Sequence, residues 1–108
     1  MLERDIEKAV CIYAKEKNMI PYKFTSPSNR GVCDRIILSD GYVFFIEFKK
    51  KGCLPTVLQN RHHQVLVDKG LTVYVIDDVN IGKEIIDYEY ENKGSQHHWG
   101  AVRKINCS

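Results

Sequence analysis

Leu2, Ile6, Ala9, Val10 and Tyr13 recur at the spacing of one helix face, and no Gly or Pro intervenes before Pro21. Residues 2–17 are therefore expected to form an amphipathic helix that stops near Asn18. Ile20 to Phe24 reads as a short strand, and the turn formers of Thr25-Ser-Pro-Ser-Asn-Arg-Gly31 as a loop. Two apolar runs, Arg35 to Leu38 and Tyr42 to Phe48, flank Ser39-Asp40-Gly41, and Asp-Gly between such runs signals a two-residue hairpin turn. The second run carries Tyr42, Phe44, Ile46 and Phe48 on one face and Val43 and Phe45 on the other, as a central strand covered on both sides would. Past Gly52, Pro55 suits the first turn of a second helix whose apolar stripe is Leu58, His62, Val65 and Leu66, with Lys69-Gly70 at its end. A β-branched strand, Leu71 to Ile76, follows directly. Strand, helix and strand in such short order imply a right-handed crossover, with the last strand parallel to the central one. A third helix is expected from about Asn80 to Tyr90; residues 92–108 show no period, and there are no internal repeats.

With 108 residues, 44% hydrophobic and 28% charged, the chain has the composition of one folded domain, which excludes disordered and low-complexity classes. The net charge of +2 names no partner by itself, but it is unevenly spread. Twelve bases and eight acids fall in residues 1–70, against four bases and six acids in residues 71–108, so the first two thirds carry the useful surface. Cys11, Cys33, Cys53 and Cys107 include no Cys-x-x-Cys pair, so structural zinc is not expected and the cysteines read as small hydrophobes. The charged N-terminus and the lack of any long apolar run predict a cytosolic chain with reduced thiols and no membrane contact.

The hairpin register carries the chemistry. A two-residue turn at Asp40-Gly41 sets Ser39 opposite Tyr42 and therefore Asp34 opposite Glu47, with Cβ atoms roughly 5 Å apart on one face. Two carboxylates so placed repel unless something compensates, and a divalent cation held by oxygen ligands would do so. Lys49, two residues beyond Glu47, falls on the same face. A metal to polarise a phosphate and generate hydroxide, beside a lysine to stabilise developing charge, is a layout for phosphodiester cleavage. The bare pattern is weak, since one fixed Asp-x(n)-Glu-x-Lys spacing arises by chance in roughly 2% of such chains, and about a quarter when a dozen spacings are allowed. Its place at the end of an apolar central strand, where unpaired charge is costly, is what sharpens it. Glu3 lies roughly 70° from the centre of the first helix's apolar stripe, where it either leans towards the metal or serves as an acid at the positive end of the helix dipole. Gln59 borders the stripe of the second helix, where a solvated glutamine is the ordinary reading.

Glu3 in a first helix, Gly31-Val-Cys-Asp34, Glu47-Phe-Lys49, Gln59 and a Thr-Val-Tyr-Val-Ile strand together resemble the virus-type replication-repair nuclease (VRR-NUC) family of the PD-(D/E)xK superfamily. The resemblance covers about residues 2–78. It implies an α/β, restriction-endonuclease-like core of helix, three strands, helix and strand, with a mixed central sheet flanked by helices. The nuclease domain would be residues 1–91, and residues 92–108 a C-terminal tail available for a dimer contact. Position by position, it implies Asp34 and Glu47 as ligands of Mg²⁺ or Mn²⁺ with the Phe48 carbonyl as a further ligand. Lys49 would be the catalytic lysine, Gln59 the helix residue reaching the site, and Glu3 the first-helix acid. The family commonly has Pro where this chain has Cys33.

Stand-alone members of this size are similar to phage-type Holliday junction resolvases. The expected function is thus a metal-dependent, structure-selective DNA endonuclease acting on branched DNA, with no small-molecule cofactor, in the bacterial cytoplasm if phage-encoded. Two symmetric cuts with one site per chain imply a homodimer, with Trp99 in the tail as a candidate contact. Beside the site, Arg30, Lys50, Lys51 and Arg61 are candidate phosphate contacts. A catalytically silent branched-DNA-binding or interaction module of the same fold is the rival reading, and a restriction-type enzyme on linear sites a third. His62-His63 and His97-His98 build no metal site at this level, because adjacent helical residues point about 100° apart; His62 on the apolar stripe reads as a core histidine, and no Cys-His nucleophile can be placed.

Overall fold

The computed structural model describes residues 2–25 and 33–92, together with the backbone of 102–104. The elements run α1 (Glu3–Glu16), β1 (Ile20–Lys23), β2 (Arg35–Ser39), β3 (Tyr42–Phe48), α2 (Val57–Asp68), β4 (Val73–Ile76), α3 (Val79–Asn92) and β5 (Val102–Lys104). They form a mixed sheet in the order β1-β2-β3-β4-β5, antiparallel from β1 to β3 and parallel from β3 to β5. Helix, three strands, helix and strand therefore follow one another as expected of a restriction-endonuclease-like core. Among the described residues, no helix is long and apolar enough to cross a membrane.

Ile6, Val10 and Ala14, four residues apart, bury one stripe of α1. The helix ends where Asn18 turns left-handed (φ 62°) and Met19 N–H reaches back to the Ala14 carbonyl, a closure that asparagine tolerates better than most residues. In the hairpin Ser39 pairs with Tyr42 and Arg35 with Ile46, the register read from Asp40-Gly41, and Gly41 supplies the positive φ. β3 is covered on both sides. Phe44, Ile46 and Phe48 pack under α1 and α3 with Ile37, Tyr74 and Ile76, while Phe45 joins Cys33, Val67 and Val73 on the α2 side. The pairing of β3 with β4 is parallel, as the crossover requires.

Three expectations shift. α2 begins at Val57 and not at Pro55, because Thr56 and Gln59 close a capping box: Thr56 Oγ1 accepts from Gln59 N–H at 3.1 Å, and Gln59 Oε1 from Thr56 N–H at 2.9 Å. That cap sets the helix phase one residue away from the apolar stripe read in sequence: His63 and Val67 are buried, while Leu58 and Val65 are exposed. A three-residue strand also emerges within the aperiodic tail.

α1 and α3 approach closely at Gly82, where an added Cβ would lie 2.5 Å from Val10 Cγ2 and 3.3 Å from Ile76 Cγ2. Alanine is the better helix former by about 1 kcal/mol. Gly82→Ala is nevertheless expected to lower stability by about 1–3 kcal/mol, because a branched valine cannot swing clear; a lower urea midpoint at unchanged m-value checks it.

Glu89 is buried beneath the sheet, its Oε2 accepting from Tyr74 Oη–H at 2.5 Å and its main-chain carbonyl from Tyr42 Oη–H at 2.6 Å. Burial raises its carboxyl above the usual 4.5, against the lowering effect of Tyr74. A raised acid favours folding while protonated, and that contribution fades as pH climbs through its folded-state value. Glu89→Gln keeps an acceptor for Tyr74, so its Tm is expected to exceed wild type at pH 7 and to converge with it below pH 4.5. Thermal melts at the two pH values test the sign.

Candidate functional site

The site forms where β2 and β3 leave the sheet beneath the N-terminus of α2. Asp34 stands one residue before β2 and is held twice: its Oδ2 accepts from Phe48 N–H at 2.8 Å, and its carbonyl accepts from Phe24 N–H at 2.9 Å. Glu47 lies in β3 with 2% exposure. Gln59 Nε2 donates to its Oε2 at 2.9 Å, so the residue that caps α2 also reaches the carboxylate. Lys49, half-buried just past β3, is anchored by its backbone N–H on the Ile76 carbonyl at 2.9 Å.

The electrostatics of these groups are linked. Burial pushes the Glu47 carboxyl up, Asp34 adds to that push, and His63 and Lys49 oppose it. Burial likewise raises Asp34, while the Phe48 amide and the Lys23 and Lys49 ammoniums lower it. Glu3 at the start of α1 is exposed, yet partial desolvation and then Asp34 raise it, and Lys49 again acts downward. Three acids and one lysine thus share a field, and the like charge of Asp34 that raises Glu47 is a cost of the kind a hard divalent cation relieves. The residues present fit such an ion.

The other predicted contacts divide. Lys50 and Arg61 are exposed; Lys51 is exposed but pairs with Asp78 Oδ2 at 3.1 Å, in a turn tied down by Gly52 N–H on Asp77 Oδ2 at 2.9 Å. Arg30, Trp99, His97-His98 and Cys107 lie outside the described residues. Arg35 turns away from Asp34 as the pleat requires, and its Nε donates to Glu7 Oε2 at 2.6 Å.

Three features escape the sequence reading. The core histidine is His63, not His62: it is fully buried, with Nε2 3.7 Å from Glu47 Oε1. The helix places it one turn after Gln59, so the signal is the four-residue step from a residue already on the site. Cys33 is fully buried beside both, its thiol pushed up by burial and then by Glu47 and Asp34. The third is a basic groove of about 410 Å³ along α1, lined by Arg4, Lys8, Lys15, Lys23 and Arg35, with Glu7 between them. Arg4, Lys8 and Lys15 recur on one helical face, a spacing visible in the sequence.

No protein-family model matches the chain. Over 80 residues it is 39% identical to a protein of Acyrthosiphon pisum secondary endosymbiont phage 1 named "Putative nuclease p44". The alignment takes in 73% of this chain and 86% of the phage protein.

Proposed function

Because the chain belongs to the family of that phage protein, we propose that it is a nuclease of the VRR-NUC type, a metal-dependent endonuclease that hydrolyses phosphodiester bonds in branched DNA. The observation that carries this reading is the convergence of Asp34, Glu47, Lys49 and Gln59 at one end of the central strands, with Gln59 Nε2 2.9 Å from Glu47 Oε2. Asp34 and Glu47, with the Phe48 carbonyl, would hold Mg²⁺ or Mn²⁺. When bound, the cation polarises the scissile phosphate and lowers the pKa of the attacking water. Lys49 stabilises the charge that grows on phosphorus-bound oxygen, or orients the water, as the P–O bond to the leaving oxygen breaks. Gln59 keeps the Glu47 carboxylate facing the site, and Glu3 closes its rim.

The groove along α1 supports nucleic acid as substrate. Lys23 lines the groove, and its ammonium also acts downward on the Asp34 and Glu3 carboxyls. Arg4 to Lys15 spans about 16 Å of helix, enough to follow several phosphates leading away from the cut. Lys50 and Arg61, both exposed, are further candidate phosphate contacts. Two symmetric cuts across a Holliday junction call for a homodimer.

The test is a cleavage panel of four-way junctions, flaps and linear duplex in Mg²⁺, in Mn²⁺ and in EDTA. Metal-dependent cutting of junctions in preference to duplex, by a species that sediments as a dimer, is expected. Cleavage that persists in EDTA overturns the mechanism, and junction binding without cutting favours a silent binding module. Equal cutting of linear duplex favours a restriction-type enzyme.

A further inference from the structure

On the α2 side of the sheet, Glu47 meets two side chains that the proposed cleavage does not use, Cys33 and His63. Cys33, Glu47 and His63 are 0%, 2% and 0% exposed, and one donor atom from each lies within 4.8 Å of the others. Their polar atoms are largely unsatisfied: Glu47 Oε1 and both ring nitrogens of His63 have no hydrogen-bond partner. A buried donor or acceptor left unpaired forfeits its hydration without compensation, so three such atoms in one spot are expensive unless something binds there. The 3.7 Å between His63 Nε2 and Glu47 Oε1 is too long for a hydrogen bond and close to the edge of a tetrahedral coordination shell.

We propose that Cys33, Glu47 and His63 form a second cation site, selective for a borderline divalent ion of the Zn²⁺ class. One sulfur, one imidazole nitrogen and one carboxylate oxygen are a poor set for Mg²⁺, which takes six hard oxygen ligands, and a good one for Zn²⁺, which accepts S, N and O at about 2.0–2.3 Å in four-coordinate geometry. The ion takes the place of the thiol proton, which leaves to solvent. Three protein ligands leave one position for water. The lack of a Cys-x-x-Cys pair does not bear on this site, because the fold assembles it from the residue before Asp34, from β3 and from α2. It engages Glu47 through Oε1, on the side opposite the Gln59 bond at Oε2. On the proposed nuclease reading, and only there, filling it draws Glu47 from the catalytic cation, so Zn²⁺ inhibits Mg²⁺-dependent cleavage.

Calorimetric titration of the full chain with Zn²⁺ alone, and absorption spectra with Co²⁺ as the probe, test the site without reference to activity. Wild type is expected to bind one Zn²⁺ and to show, with Co²⁺, the near-ultraviolet charge-transfer band of a metal thiolate. Cys33→Ser removes that band, and Cys33→Ser and His63→Gln each weaken Zn²⁺ binding by about 100-fold or more, the loss expected for a direct ligand. Cys53→Ser and His62→Gln leave it unchanged. Lys49→Met keeps the Zn²⁺ site whatever it does to cleavage, so failure of the nuclease reading and failure of this site are separate results. If one ligand variant falls short of the wild-type Tm, the other and the wild-type Co²⁺ spectrum decide. Absence of stoichiometric binding, a Co²⁺ complex without the thiolate band, or Zn²⁺ affinity that survives in a folded ligand variant each overturns the proposal.

Discussion

Lys49→Met is expected to lower the rate of DNA cleavage by about 10²–10³-fold, the cost of removing one group that stabilises transition-state charge, while DNA affinity changes by no more than about threefold. The backbone at Lys49 is pinned to β4 through the Ile76 carbonyl, so methionine leaves the strand end in place and removes only the ammonium. That ammonium acts downward on Glu3, Asp34 and Glu47 together. Without it all three carboxyls rise further, so the acid limb of the pH–rate profile moves to higher pH. This second signature separates loss of Lys49 from a general loss of fold, which Tm measures independently. Lys51→Met is the control, because Lys51 is already paired with Asp78. Single-turnover kinetics on a junction substrate across pH, beside anisotropy for binding, read both effects. Wild-type rates in the Lys49 variant would remove it from the mechanism.

The parts of the molecule fixed by short-range rules were legible from sequence, and those fixed by rotation or by distant burial were not. Asp40-Gly41 forces Ser39 onto Tyr42, and from that one pair the whole β2–β3 register follows, because a two-residue turn has no slack. The two-sided apolarity of β3 revealed helices on both faces before any helix was placed against it. The rotation of α2 was harder. Leu58 and Val65 suggested a stripe, but both remain exposed; the Thr56–Gln59 box and the Gln59 bond to Glu47 set the phase, so His63 and not His62 turns inward. Polar bonds of this kind leave no hydrophobic period to read. Cys33 carries no signal in the sequence because its partners are supplied by β3 and α2, and Glu7 and the adjacent acids mask the basic face of α1 in a net count. β5 is too short to show an alternation of its own.

Glu47→Gln is expected to abolish cleavage and to make the protein more stable, a pairing that only a charge held against its own burial produces. Cleavage should fall by 10³-fold or more, of the order seen when a charged group of a catalytic site is neutralised, because the amide cannot serve as an anionic ligand. Stability moves the other way. At 2% exposure the carboxyl is raised by burial and then by Asp34, so at neutral pH its ionised form opposes folding. Glutamine has nearly the same shape, its oxygen can accept the Gln59 bond now made to Oε2, and its amide nitrogen points towards the unpartnered His63 ring. Removing one buried, unpaired anionic oxygen is worth about 1 kcal/mol or more, which in a domain of this size moves Tm upward by roughly 4–8 °C. The gain belongs to the ionised state: a raised acid is neutral in both folded and unfolded chains below its ordinary value of 4.5, so the two melting curves should meet there and separate as pH rises. The measurement is made in EDTA, because a bound cation would offset the same charge in wild type and shrink the difference. A Glu47→Gln variant that is inactive but less stable at pH 7 would mean that the buried anion holds the fold together, and that the site was built for stability first.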